Sequence, residues 1–597
     1  MRAPTKVLGG AAALALAATP LGAASPADSV YLGGYVYTVD ARDSVQQALA
    51  VRAGRIIYVG DEAGARALIG PHTRRFDLAG RMLMPGLIDG HMHPLDGGTG
   101  LRKCNLNYER LTVAELQQRI QKCLDETRTR EPDGWLEVVN WFREAMLPAG
   151  VATSRATLDG LQTRRPIFVM SSFGHTALVN SRALELAKLS AASHDPLGGR
   201  IDREASGAPS GILEEDAAFD LVQKLIPGAT PAEDAQAARL ALQAVNAQGV
   251  TQFLDAQATE RTVSAFAAAQ RDGGLSARAH FALWITPEEG RHARAAIARV
   301  QSLARRYDQG PLRPEPTLTV RNIKLFMDGV ITAPALTGAM LRPYLEDHGT
   351  PAEPRWVPSA NRGPEVYFPP PLLQALLLGA ARAGLEPHLH VDGDRAVHEA
   401  LEGVAALRRA FPGRVIRAAL AHDESVDPAD FARFGALDAI PVLSFQWEKP
   451  APDSVDGARE YLGPARYRYI EPAGYLAAAG ARIAYGSDWP VDRLDEWFAL
   501  KVGVTRENDP AEAGEKYRGR LSSDPGLTVP AVLRAITANA AYELHADADT
   551  GSLEVGKLAD FIVLDRNPLQ IDPHDIAHVR VLRTVVGDKT VYEAPAR

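Results

Sequence analysis

His91 and His93 stand two residues apart at the end of the apolar run Leu87-Ile88-Asp89-Gly90. On an extended strand, residues i and i+2 project to the same side, so both imidazoles can hold one cation. An isolated H-x-H is weak evidence, because paired histidines occur on ordinary surfaces. Its weight comes from place: it closes a strand-like run, and barrel enzymes keep their chemistry at the C-terminal ends of such strands.

The elements that must position this pair recur along the chain. LMPGLIDGHMH, GVTQFLDA, ARAHFALWI, VRNIKLFMD, LEPHLHVDGD, VIRAALAHDE, IPVLSFQW and ARIAYGSDW are apolar runs of strand length, each followed by an Ala/Leu/Arg-rich helical stretch. Strands alternating with helices imply a parallel sheet, and eight of them predict an α/β protein built on a (β/α)8 TIM-like barrel. About 150 residues separate His93 from Gly249. That is too long for a linker and reads as a cap inserted at about 100–240 over the barrel mouth. Near the two ends, YLGGYVYTVD and ALAVRAGRIIYVG share a texture with GSLEVGKLADFIVLD and VRVLRTVVGDKTVYE: β-branched runs broken by glycine turns. Residues 28–84 and 545–597 are therefore expected to pair into one small β-sandwich outside a barrel spanning 85–544.

The 597 residues carry 65 basic and 73 acidic side chains, a net charge of −8 that leaves no basic excess to neutralise phosphates. Nucleic acid is excluded as a partner; a small-molecule substrate fits, and homo-oligomerisation stays open. Arg2 and Lys6 precede an apolar run from Val7 to Ala18, then Pro20 and small residues. This is the order of a signal peptide over 1–24, with cleavage near Ala24 or Ala27 and a secreted or periplasmic product. The run is shorter than the ~20 apolar residues of a membrane span, so no stable insertion is expected after cleavage. Cys104 and Cys123 are the only cysteines. In an oxidising compartment they are expected to form a disulfide; the alternative is two buried thiols.

The segment PGLIDGHMHP resembles the opening metal motif of the amidohydrolase superfamily. From about Val30 to the C-terminus the chain is similar to amidohydrolase family 3, the YtcJ-like branch that includes N-substituted formamide deformylase. Further landmarks stand in the family's order: IKLFMDG with Lys324, HLHVDGDRAV with His390, LAHDE with His422, GSDWPV with Asp488, and a closing AITANAAYELH…GSLEVGKLADFIVLD.

The resemblance implies one or two divalent metals, Zn2+ foremost, held by His91, His93, Lys324, His390, His422 and Asp488. Imidazole and carboxylate also tolerate Mn2+, Fe2+ or Co2+. Asp488 can serve as general base and then general acid in hydrolysis of an amide-type C–N bond. A bare ammonium beside two cations is unfavourable, so Lys324 is expected to be carboxylated and bridging. Two alternatives remain: Lys324 paired with Asp328, or Glu214 of PSGILEE as the bridge. A lactonase or esterase on the same centre, or a non-catalytic solute-binding protein, are the competing functions. His388 is expected to face away from His390, into the barrel–helix layer, as a hydrogen-bonded core histidine. In the cap, His175 is expected to touch substrate, and Trp135, Trp141, Phe142 and Phe173 to wall an apolar pocket, Trp141 and Phe173 as substrate contacts.

Overall fold

In the computed structural model all eight runs form strands of one parallel sheet: β1 (Leu87–Met92), β2 (Val250–Ala258), β3 (Arg278–Trp284), β4 (Leu318–Phe326), β5 (Glu386–Val391), β6 (Ala418–His422), β7 (Ala439–Leu443) and β8 (Ala484–Tyr485). The structure describes residues 25–595 apart from 130–131, 149–150, 173, 175, 197–198, 215, 334, 351, 364–365 and 511–513. The signal-peptide expectation, including cleavage near Ala24, lies outside the described residues. Each strand pairs with the next from β1 to β8. The ring is joined just beyond β1 and β8, where Asp488 N–H donates to the His91 carbonyl and His93 N–H to that of Trp489, both at 2.7 Å. The protein is thus a (β/α)8 TIM-like barrel whose seam runs through the candidate ligands.

The layer around the barrel follows from helical spacing. Leu373, Leu376 and Leu377 from Pro370–Ala383 and Val397, Leu401 and Val404 from Asp394–Ala410 bury one face each in the large core around the strands. The return from the cap is a helix with both ends specified, Pro231–Gln248. Thr230 and Glu233 form a capping box, Pro231 sits in the first turn, and Gly249 closes the helix at φ +97 before β2 begins at Val250. The floor is filled from the C-terminal side, where Ala540, Ala541 and Leu544 pack against Ile88, Leu254 and Ala282.

The cap is a six-stranded sheet running in the order Arg200–Arg203, Pro209–Glu214, Thr176–Val179, Ile167–Ser171, Leu136–Trp141 and Cys104–Asn105. Helix Val113–Thr127 lays Leu116, Ile120 and Leu124 against it, and a Cys104–Cys123 disulfide ties the edge strand to that helix, as the sequence led us to expect. Trp141 belongs to this core. It is 1% exposed and its indole N–H points to Met146 Sδ at 3.1 Å, so it packs the cap instead of meeting substrate.

Strands from both ends of the chain share one sheet: Phe561–Leu564, Val581–Val586 and Lys589–Glu593 lie with Met82–Pro85, Tyr35–Tyr37 and Val45–Gln46. A second sheet of Ser29–Leu32, Ala48–Arg52, Arg55–Gly60 and Arg74–Asp77 faces it across a common core of Tyr31, Leu49, Val51, Leu83, Phe561 and Val585. This is the small sandwich built from both termini. Arg278 on β3 anchors it to the barrel through a buried bidentate pair with Asp560, at 2.6 and 3.0 Å. No helix among the described residues is long and apolar enough to cross a membrane.

Candidate metal centre

Strand ends bring the sequence-derived ligands together at one mouth of the barrel. His91 ends β1 with His93 just beyond, Lys324 lies on β4, His390 on β5, His422 closes β6, and Asp488 follows β8. Asp488 Oδ1 lies 2.9 Å from His93 Nε2 and 3.4 Å from His91 Nε2. The His422 ring sits 4.7 Å from that of His91 and 4.6 Å from that of His390. Potential donor atoms of His91, His422 and Asp488 fall within 4.8 Å of one another, and so do those of His390, Asp392 and His422.

The local backbone is built for this convergence. His422 and Asp488 adopt φ of +82 and +55, a left-handed conformation costing about 1–3 kcal/mol for a non-glycine residue. Packing over-determines it at Asp488. A Cβ on Gly486 would meet His91 Cβ at 2.3 Å, so only glycine lets the turn approach β1. Asp89, fully buried behind the site, accepts from His91 N–H (3.0 Å), Ser487 N–H (3.1 Å) and Ser487 Oγ (2.5 Å), clamping the two strand ends. Burial pushes its carboxyl up to about 7. Asp89 went unread in the sequence, where it looked like one residue of an apolar run.

Electrostatics distinguish the members. Burial favours protonated Asp488, but the neighbouring His93, His422 and Lys324 outweigh it and hold the carboxyl below its ordinary value. Asp488 is therefore a carboxylate. Burial also drives His390 down to about 3 and His91 and His422 well below the usual imidazole range, with Lys324 and the other histidines adding to the effect. All three are neutral imidazoles, the form that ligates. Burial lowers Lys324 to about 7 against the opposing pull of Asp488, Asp392 and Asp255.

The donor set fits a metal. His91 Nε2, His93 Nδ1, His422 Nδ1, Asp392 Oδ1 and Lys324 Nζ are buried with no hydrogen-bond partner among the described residues, and Asp488 Oδ1 meets the His93 and His91 imidazoles at 2.9 and 3.4 Å. Several orphaned donors in one place would cost several kcal/mol in total without a cation to satisfy them.

The remaining expectations divide. Lys324 is not paired with Asp328, whose carboxylate accepts from the backbone N–H groups of Ala339, Asp392 and Gly393. Glu214 stays in the cap sheet, held by Arg143 at 2.9 Å and by the Thr176 hydroxyl at 2.7 Å. His175 and Phe173 lie outside the described residues. His388 departs most from expectation. It is fully buried on the inner side of β5, its Nε2 2.8 Å from His91 Nδ1. The reason is the strand period: positions 388 and 390 are i and i+2 and share a face, the same rule that joins His91 to His93. Asp392, two residues beyond His390, was also missed.

Above the cluster Trp447 stacks on His422, ring centroids 5.7 Å apart. It also lines a cavity of about 570 Å³ between cap and barrel loops, with Tyr108 and Phe142 from the cap and Lys449 and Phe498 from the barrel side. Among the described residues, Phe142 is the one cap aromatic offered by the sequence that reaches this wall.

A barrel with neutral histidines and a carboxylate converging at its C-terminal mouth is the framework of a metal-dependent hydrolase. The chain matches the amidohydrolase family model over residues 74–592 and belongs to that family. It is 27% identical to Protein LONG AFTER FAR-RED 3 of Arabidopsis thaliana, covering 95% of this chain and 92% of that protein. It is 26% identical to the N-substituted formamide deformylase of Arthrobacter pascens, covering 95% and 98%. In fold it is similar to an uncharacterized metal-dependent hydrolase from Pyrococcus horikoshii, with a TM-score of 0.69, 21% identity and coverage of 91% and 99%.

Proposed function

We propose that this protein is an exported metal-dependent hydrolase that cleaves an amide-type C–N bond of a small molecule. The observation that carries the reading is the group of buried donor atoms of His91, His422 and Asp488, all within 4.8 Å of one another at the barrel mouth, with His93 Nε2 beside Asp488. His91, His93 and Asp488 would hold one divalent ion, Zn2+ by preference, and His390 and His422, with Asp392, a second. A cation bound there would polarise the scissile carbonyl and acidify the attacking water. Asp488, ionised and 2.9 Å from His93, accepts the proton of that water and returns it to the leaving nitrogen. Trp447 roofs His422 and limits bulk solvent on that side. The cavity of about 570 Å³, with Phe142, Trp447 and Phe498 in its wall, suits a substrate carrying an apolar or aromatic group.

Lys324 supports a dinuclear form. Its amine is fully buried, unpartnered and lowered to about 7, so an uncharged fraction is present at neutral pH to add to carbon dioxide. The N–C bond forms as one amine proton leaves, giving an anionic carbamate between the two sets of ligands. The leader pattern of residues 1–24 and the Cys104–Cys123 bond support export.

Metal-loaded protein screened against N-acyl amines, cyclic imides and lactones tests the reading. Turnover of an N-acyl compound, lost with a chelator and restored by Zn2+, is expected. Turnover of lactones alone would make it a lactonase, and tight ligand retention with no turnover a binding protein. Lys324→Ala should hold at most one metal tightly and regain activity with added short-chain carboxylic acid. Two metals and full turnover in that variant would remove Lys324 from the bridge.

A further inference from the structure

Beneath the metal ligands a buried line runs from His91 to two side chains, His388 and Glu543, for which the hydrolytic reading has no use. His91 Nδ1 is 2.8 Å from His388 Nε2, and His388 Nδ1 is 3.3 Å from Glu543 Oε1. Exposures of 2%, 0% and 1% for His91, His388 and Glu543 place the whole line out of water. The His388–Glu543 approach is a close contact short of hydrogen-bond geometry, and neither Nδ1 of His388 nor either Glu543 oxygen has a hydrogen-bond partner among the described residues, so each faces the other unsatisfied. Access has been made for the carboxyl group: a Cβ on Gly90 of β1 would meet Glu543 Oε2 at 2.3 Å. Glu543 comes from the short helix Ala540–Glu543, which packs into the barrel floor through Ala540 and Ala541.

The order of donors along this line follows from imidazole chemistry. A hydrogen bond between two neutral rings needs one N–H and one lone pair. His91 Nε2 faces Asp488 and carries the lone pair for a metal, so its proton sits on Nδ1 and is donated to His388 Nε2. His388 must then bear its own proton on Nδ1, the atom that faces Glu543. A carboxyl oxygen of Glu543 at the floor can take that N–H, so the tautomers of the two rings are tied to one another from floor to mouth. Asp89 cannot do this, because its oxygens are taken by Ser487 and the His91 backbone.

We infer that Glu543 and His388 are positioning residues, a carboxyl–imidazole–imidazole line that sets the tautomer and orientation of His91 as a metal ligand. The inference rests on the metal-dependent reading above. Partners of this kind, which take the second N–H of a ligating histidine, commonly change metal affinity or activity ~10–100-fold when removed. Here the partner is two groups long, because the His388 ring stands between His91 and Glu543.

The test measures Zn2+ affinity of the full chain by competition with a chromophoric chelator, together with kcat and KM on a substrate found by the screen. His388→Ala and Glu543→Ala should bind Zn2+ ~10–100-fold more weakly and lose kcat with little change in KM. His388→Gln and Glu543→Gln keep a carbonyl acceptor in place and should recover most of the affinity. Ala variants within about twofold of the wild type would overturn the inference. So would Gln variants as weak as the Ala variants, which would mean lost packing and not a lost hydrogen bond. If the Ala variants fail to fold, His388→Phe against His388→Gln decides: equal affinity overturns the line, and selective loss in Phe supports it. A wild type that binds no divalent metal would overturn the hydrolase reading first. Tight binding in the wild type and the Ala variants alike would overturn only this inference.

Discussion

Replacing Asp488 by Asn separates geometry from proton transfer. The two side chains are isosteric, and Asn is among the non-glycine residues that most readily adopt the φ of +55 at this position. The Asp488 N–H bond to the His91 carbonyl is a backbone contact and survives. What disappears is one negative charge 2.9 Å from His93 Nε2 and 3.4 Å from His91 Nε2, and with it the group able to take a proton from water. A positioned general base contributes about 10²–10⁴-fold to rate, equivalent to about 3–5 kcal/mol of barrier. Metal binding should weaken far less, because the histidines remain and the Asn carbonyl still offers an oxygen. The assay pairs kcat, on the substrate returned by the screen, with metal content and chelator competition on the same preparation. A variant that holds metal but turns over at least 10²-fold more slowly agrees with the mechanism. A metal-replete variant within about threefold of wild-type kcat would refute it and leave the proton acceptor to another group.

Much of this centre was legible because barrel strands announce themselves twice, as apolar runs and as carriers of chemistry at their C-terminal ends. His91, His93, His390, His422 and Asp488 each stand at or just beyond a strand end that the sequence marks, and the structure brings them to one mouth of the barrel. What failed was of two kinds. For His388 the signal was present but misapplied, since the alternation that sends residue 389 outward returns 388 and 390 to one face. For Glu543 there was no local signal at all. It lies in a helical stretch some 150 residues from its partner His388, and only the plugging of the barrel floor brings them together. Trp141 shows the opposite error, in which a large aromatic in a cap suggested a pocket when it is the cap's own core. Packing claims such residues first because burying an aromatic is worth more to a small sheet than exposing it to a ligand.

Two further outcomes concern how the parts are held. Reducing the Cys104–Cys123 bond, or replacing both cysteines by Ser, should destabilise the cap by about 3 kcal/mol, the chain entropy of a loop with a sequence separation of 19. An unchanged denaturant midpoint for the cap would show that the helix Val113–Thr127 needs no covalent tie. Asp560→Ala should cost about 3–5 kcal/mol in urea unfolding, because it strands the guanidinium of Arg278, whose side chain is wholly buried. Arg278 keeps some compensation from the carbonyls of Pro314 and Glu315, each at 3.3 Å, but these are dipoles and not a counter-charge. The double variant Arg278→Leu with Asp560→Leu removes both charges and should lose less than the single one, since apolar replacement of a buried pair is often close to neutral. Asp560 also accepts from the Gly587 N–H at 2.8 Å, so the single change loosens the sandwich where it meets β3. A single variant with an unchanged midpoint, or a double variant less stable than the single, would mean that the terminal sandwich and the barrel are joined by their apolar contacts and not by this pair.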